Sequence, residues 1–272
     1  MRVDGKKIAE TIIAELGLKI AQLGKKPTLA IVYAGSNSVI ENFIKIKQAT
    51  ADRLGVLTKV FHLPNPTTPD MIQIVSDISL DKSIDGIIVQ LPLSSAIDSD
   101  EVLNSVLPSK DVDVLSKIAF EAFADGKSKF LPPTVGAVAE IFSKHKVILK
   151  DKKIVVVGNG ALVGKPVAAW LRLQGVEPIV ITKGTENSVS APAFFSADII
   201  ISGVGRPHFI KPDMIKDGVV LIDAGTSEEA GRMLGDIDPS CEERAVLFTP
   251  VPGGVGPITV AILFRNLLSA MK

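Results

Sequence analysis

Apolar residues recur along this chain with two alternating periods, and the switches between them mark its elements. From Asp4 to about Leu23, Ile8, Ile12, Leu16, Ile20 and Leu23 fall on one helical face, with Asp4 as cap and Gly24 as stop. Thr28–Tyr33 is a continuous buried-strand pattern, followed by the turn Ala34-Gly35-Ser36-Asn37 and a helix that runs to Leu54 before Gly55. Val56–Phe61 reads as the next strand. Thr68-Pro69-Asp70 supplies a cap, a first-turn proline and an acid to open a helix, and Ile84–Leu91 is a further buried strand. A shorter helix over Asp100–Val106 ends before Pro108. Strands and helices alternating at these lengths predict an α/β domain with a mostly parallel sheet, whose ligand crevice lies beyond the carboxyl ends of the strands.

A helical pattern over Thr134–Lys146 leads to a second run of strands: one from Lys153, then Pro178–Ile181, Asp198–Ile201, Val219–Asp223 and Val246–Phe248, with helical stretches between. The segment Lys153-Ile-Val-Val-Val-Gly-Asn-Gly-Ala-Leu-Val-Gly-Lys-Pro166 organises this half. Four β-branched residues stop at Gly158, Gly160 follows, and an apolar helical run begins near Val163, which predicts strand, tight turn and helix. Glycines let the backbone approach a pyrophosphate, and free N–H groups at a helix start face its negative charge. The spacing Gly158, Gly160, Gly164 is one residue longer than G-x-G-x-x-G, and an ordinary glycine turn would also explain the stretch taken alone. Near the end, Pro250-Val-Pro-Gly-Gly-Val-Gly-Pro257 is a glycine and proline loop that runs straight into an apolar helix.

Composition narrows the function. The chain has 272 residues with 46% hydrophobic content, enough for two domains with real cores. Thirty basic and thirty acidic residues cancel, which argues against nucleic acid or an anionic membrane as partner. One cysteine, Cys241, cannot form an internal disulfide, and His62, His145 and His208 are scattered singly, so no metal site is expected. With no apolar run of about 18 residues and no signal segment, a cytoplasmic setting is expected.

Three polar residues stand where polar residues are awkward. Gln90 interrupts Ile87-Ile-Val-Gln-Leu-Pro92 near the end of a buried strand, where its amide must find partners. Asp113 closes Lys110-Asp-Val-Asp113 in a loop, and Lys47 lies on the helix after the first strand. Singly, each has an ordinary explanation: a capped sheet edge, a loop turn, a solvated helix face. Together they form a candidate site.

With these residues in view, the chain resembles the bifunctional methylene-tetrahydrofolate dehydrogenase/cyclohydrolase family, from Val3 to nearly the end. The resemblance is carried by Asp85-Gly-Ile-Ile-Val-Gln-Leu-Pro-Leu93, Lys110-Asp-Val-Asp113, Gly158-x-Gly-x-x-Val-Gly-Lys-Pro166 and, above all, Pro250-Val-Pro-Gly-Gly-Val-Gly-Pro-Ile-Thr259. The family's folate-site string Tyr-Val-x-x-Lys-x-Lys, counted without gaps from Gly35 to Gly55, falls on Phe43-Ile-Lys-Ile-Lys47-Gln-Ala. That register makes Lys47 the catalytic lysine and puts Phe43 at the tyrosine position. A rival register, matching Lys45-x-Lys47 to Lys-x-Lys, needs a two-residue gap and puts Glu41 there.

The resemblance implies an α/β protein of two domains with an active-site cleft between them. Residues 1–120 would form the catalytic folate domain, completed by a C-terminal helix over 255–272, and residues 121–254 a Rossmann NADP-binding domain. It implies tetrahydrofolate derivatives as substrates, NADP as cofactor with NAD possible, a homodimer, and a place in one-carbon metabolism. Lys47, Gln90 and Asp113 would be catalytic. Phe43, Val89, Leu91, Pro252, Gly253, Gly254, Val255 and Gly256 would meet the folate, and Gly158, Asn159, Gly160, Val163, Gly164, Lys183, Gly205 and Thr226 the nucleotide. Water attack on a cationic carbon suits a lysine whose pKa neighbouring positive charge has lowered, with Gln90 to orient it. Asp113 would accept from the pterin's N–H donors.

Departures from the family pattern are specific. Phe43 lacks the phenol, and Tyr33, the only tyrosine, belongs to the first strand and so is not expected to replace it. Val114 stands for a glycine, and Pro132-Pro-Thr-Val135 for Pro-Cys-Thr-Pro. Asn159-Gly160 stands for Arg-Ser or Ala-Ser, and Lys183 for Ser or Arg, with no acid before Glu186. These leave two alternatives: a dehydrogenase with weak cyclohydrolase activity, and a folate and nucleotide binder without turnover.

Overall fold

The computed structural model describes every residue except Glu186, Ala230 and Lys272, and the side chains of residues 187–189. In chain order the elements are α1 (Gly5–Ala21), β1 (Thr28–Ala34), α2 (Ser38–Leu54), β2 (Leu57–Leu63), α3 (Thr68–Leu80), β3 (Gly86–Val89), α4 (Ser99–Asn104), α5 (Lys117–Ala124) and α6 (Pro133–Lys144). They continue as β4 (Ile154–Val157), α7 (Gly164–Leu173), β5 (Ile179–Ile181), α8 (Asn187–Ser196), β6 (Ile199–Ser202), β7 (Val219–Asp223), β8 (Ser227–Glu229), β9 (Arg232–Leu234), β10 (Ala245–Phe248) and α9 (Val255–Ala270). Two compact units result: a first of Glu10–Pro132 with Val260–Lys272, and a second of Met1–Ala9 with Pro133–Thr259.

The first unit is built on a parallel sheet in the order β2-β1-β3. Ala30, Val32, Ile87 and Val89 project from one face into a core with Met71, Val75 and Ile78 of α3 and Val102 and Leu103 of α4. Leu29, Ile31, Ile88 and Gln90 alternate with them and so project from the opposite face, where α2 lies. Asn37 starts α2 by accepting from the Val39 and Ile40 N–H groups, and Gly55 ends it at φ 72°. The cap of α3 is Thr67 rather than the expected Thr68, because Thr67 and Asp70 exchange side-chain to backbone hydrogen bonds one turn apart.

In the second unit five parallel strands follow the order β10-β7-β6-β4-β5, a sheet of doubly wound type. Val155, Val157, Ile200, Leu221 and Phe248 pack with Phe194 of α8 and with Ile210, Ile237 and Cys241. The β8–β9 hairpin and α5 are not foreseen in the sequence. Strands of three residues and a helix of eight, capped by Ser116, are too short to establish a period.

Candidate active site and nucleotide turn

Gln90 lies one residue beyond β3, and its backbone N–H donates to Val32 O at 2.8 Å, so the ladder still fixes its direction. Lys47 Nζ donates to Gln90 Oε1 at 2.6 Å, while Gln90 Nε2 donates to Leu91 O at 2.8 Å. Both ends of the buried amide are therefore satisfied and its orientation is fixed. Lys45, the nearby alternative, is exposed on another face of α2.

Asp113 reaches the same place by a tightly tied loop. Asp111, itself buried, accepts from the Leu115 and Ser116 N–H groups, and Ile87 donates its N–H to Lys110 O. Asn266 of α9 holds the loop from the other side by donating to Val112 O at 2.9 Å. Val114 has φ 58°, a left-handed conformation that explains why the family uses glycine there. Such a conformation costs an L-residue about 1–2 kcal/mol, and here burial of the valine side chain offsets it.

Electrostatics couple the pair. Desolvation lowers the Lys47 pKa from its ordinary value, and the negative charge of Asp113 opposes that shift. Desolvation also raises Asp113 to about 6, against the pull of Lys47 and with a push from Asp111. The lysine pKa is lowered as expected, but burial rather than neighbouring positive charge is the cause. At neutral pH Asp113 is mostly ionised and can accept hydrogen bonds, and Lys47 gives up its proton more readily than a solvated lysine.

Phe43 is half-buried one turn before Lys47, so the two share a face of α2. Val89 does not: its side chain is buried in the core on the far face of the sheet, leaving only its backbone for a ligand. Leu91 also leans on that core. Tyr33, though a strand residue, projects from the same sheet face as Gln90, because alternate residues of a strand share a face and neighbouring strands are in register.

In the second unit the turn after β4 shows why it needs its glycines. Gly158 has φ 101°, and a Cβ at Gly164 would lie 2.0 Å from Gly158 O, so α7 starts in direct contact with the turn. Gly160 has neither constraint, with nothing within 4 Å of a Cβ built on it, and Asn159 beside it is exposed. Val163 precedes α7 without any side-chain cap; in the first turn the Lys165 N–H donates to Gly160 O at 3.1 Å and Pro166 has no N–H. Val163 is also packed against Gly203, where a Cβ would fall 2.3 Å from Val163 Cγ1, a constraint that no local sequence signal marks. An open glycine turn that runs straight into a helix N-terminus fits the phosphates of a dinucleotide.

Gly205, at φ 65°, sits beneath the loop after β7, 3.7 Å from Thr226 O as measured from a built Cβ. Two buried carboxylates brace these loops. Asp236 accepts from Ser202 Oγ and from the Val204 and Arg206 N–H groups. Asp223, which burial pushes up to about 7, accepts from the Gly225, Asp236 and Ile237 N–H groups. Lys183 is exposed just past β5, and Glu186 lies outside the described residues. In the 250–256 loop, Gly253 has φ 103° and its carbonyl accepts from the Gly5 N–H at 3.0 Å. Gly254 is buried against Pro250, Val255 is buried, Pro252 is exposed, and Gly256 has open space around it.

A doubly wound sheet with an uncapped glycine turn, and a separate α/β unit holding a desolvated lysine, define a nucleotide-binding enzyme of the dehydrogenase class. The comparisons make that class specific. Residues 3–113 match the catalytic domain of tetrahydrofolate dehydrogenase/cyclohydrolase, and residues 132–272 match its NAD(P)-binding domain. The chain belongs to the tetrahydrofolate dehydrogenase/cyclohydrolase family. It is 36% identical to the bifunctional protein FolD of Nautilia profundicola over 276 residues, covering 99% of this chain and 96% of that protein. The crystal structure of the bifunctional FolD from Campylobacter jejuni superposes with a TM-score of 0.94 at 32% identity, covering 99% of this chain and 98% of that one. The Trypanosoma brucei FolD, solved with NADP cofactor and an inhibitor, gives 0.93 at 30% identity, covering 99% and 96%.

Proposed function

We propose that this chain oxidises methylene-tetrahydrofolate to the methenyl form with NADP and hydrolyses the methenyl form to 10-formyl-tetrahydrofolate. The observation that carries the reading is the Lys47–Gln90–Asp113 constellation, on a chain that belongs to this family along its whole length. The first unit would serve as the folate and catalytic domain and the second as the nucleotide domain.

Bound NADP supplies the hydride acceptor. The chain's own task in that step is alignment and exclusion of water, which suits the backbone-rich 252–256 loop. In the second step water adds to the cationic methenyl carbon and must lose a proton. Lys47 accepts it as the neutral amine, the form that desolvation favours, and Gln90 fixes the direction of the amine. Asp113 holds the pterin through its N–H donors. Direct assay of both half-reactions tests the reading, and loss of either one in the unmodified chain would refute it.

Cofactor choice rests on Lys183. An NAD-specific seat places an acid after the second strand to hold the ribose hydroxyls, whereas here β5 is followed by a lysine suited to a 2′-phosphate. Lys183→Ala is expected to lower the ratio of kcat/KM with NADP to that with NAD by about tenfold, the value of one exposed charge-assisted contact. An unchanged ratio would remove Lys183 from the nucleotide site.

The protein is further proposed to act in the cytoplasm, as expected from its single cysteine, and as a homodimer, as the family resemblance implies. Light scattering at assay concentration is expected to give twice the chain mass, and a monomer would refute the dimer.

A further inference from the structure

The row of side chains across the end of the first unit's sheet contains a tyrosine that no reading of the sequence placed there. Tyr33 of β1 is the register partner of His62 of β2. On its other side Val32 pairs with Val89, and the Gln90 N–H donates to Val32 O, so the ladder continues one step and sets Tyr33 beside Gln90. His62, Tyr33 and Gln90 therefore stand side by side on one face, at strand spacings of roughly 4.8 Å. Lys47 and Phe43 of α2 come down on that face.

Tyr33 is also held in place. Its ring stacks on His62 with centroids 4.3 Å apart and planes 5° from parallel, and His62 Nε2 lies 2.8 Å from Gly35 O. Stacking of this kind fixes a ring without using its polar tip. Tyr33 is half-buried, and among the described residues no side chain or carbonyl accepts from its hydroxyl. The result is a rigid phenol with an unused donor, one strand away from the amide that holds Lys47.

We propose that Tyr33 is a positioning residue for the hydrolytic step, its hydroxyl orienting the attacking water or the Lys47 amine in place of the phenol that Phe43 lacks. The assignment rests on the cyclohydrolase reading above and makes that site more specific. Phe43 keeps the apolar surface on α2, and the hydroxyl arrives from β1, on the opposite wall of the same site. A weakened cyclohydrolase, expected from Phe43 alone, is then not the outcome.

The test uses the full chain and the variant Tyr33→Phe, which keeps the ring and its stack on His62. Hydrolysis of methenyl-tetrahydrofolate is followed directly, and NADP reduction is followed separately. The kcat for hydrolysis is expected to fall roughly three- to tenfold, the effect of one hydrogen bond acting in the transition state, with KM and the dehydrogenase rate within about twofold of the unmodified chain. Adding Phe43→Tyr to that variant is expected to restore most of the lost rate. An unchanged hydrolysis rate in Tyr33→Phe, or an equal fall in both activities, overturns the proposal while leaving the enzyme assignment intact. If the unmodified chain reduces NADP but does not hydrolyse the methenyl form, the cyclohydrolase reading falls, and the role of Tyr33 falls with it.

Discussion

Lys47→Met is expected to abolish hydrolysis of methenyl-tetrahydrofolate while part of the hydride transfer persists. The two steps ask different things of the lysine. Hydride transfer depends on holding two carbons close and aligned, and an unbranched apolar side chain of similar length preserves much of that packing. Hydrolysis requires a proton to leave the attacking water, and a positioned base contributes roughly a hundred- to ten-thousandfold to such a step. Lys47 is suited to it because burial lowers its pKa, and the hydrogen bond to Gln90 at 2.6 Å directs the amine. The lysine acts as base in its neutral form, so hydrolysis in the unmodified chain rises with pH through the lowered Lys47 pKa. Rates of the two half-reactions measured separately decide the matter: an equal loss in both would show that Lys47 only holds the folate.

The second large effect is expected at Asp113. Asp113→Ala should weaken folate binding by about 1.5–3 kcal/mol, roughly ten- to 150-fold, the range for a charge-assisted hydrogen bond, and leave the nucleotide affinity close to its original value. The selectivity follows from location. Asp113 belongs to the first unit and interacts with Lys47, whereas the glycine turn of the second unit is built without it. A pH signature accompanies the substitution. Desolvation raises Asp113 to about 6, so its charged, accepting form is lost as pH falls through 6, and folate affinity should weaken below that pH in the unmodified chain but much less in Asp113→Ala. Calorimetric titrations with folate and with NADP on both proteins provide the check. Equal losses for the two ligands would place Asp113 in a structural role.

Much of this was legible in the sequence because local signals agreed. The β-branched run ending at Gly158, the uncapped start near Val163 and the turn residues around Gly35 each specify their structure within a few positions. Lys47, Gln90 and Asp113 could be singled out because each is polar at an awkward place, and the ungapped count to Gly55 chose Lys47 over Lys45. What stayed hidden depends on register and packing. Nothing local in Leu-Ala-Ile-Val-Tyr says that Tyr33 will stand next to Gln90, since that follows from pairing strands 57 residues apart. Val89 stands beside Gln90, but the two-residue period of a strand sends its side chain into the core, leaving only its backbone for a ligand. Gly203, Gly225 and Gly235 have no turn signature; they are glycines because Val163, Asp236 and Asp223 occupy the space a Cβ would need. The lowered pKa of Lys47 was anticipated for the wrong cause, because burial is a tertiary property while charge can be counted along a chain.

The most direct measurement is a coupled absorbance experiment on the purified chain, with methylene-tetrahydrofolate and either NADP or NAD. The account predicts reduced nicotinamide forming faster with NADP, and methenyl product that appears only transiently because the same protein hydrolyses it. Methenyl product that accumulates in proportion to the reduced nicotinamide would contradict the hydrolytic role of Lys47. No reduced nicotinamide with either nucleotide, from a chain that binds both ligands, would contradict the account at its centre.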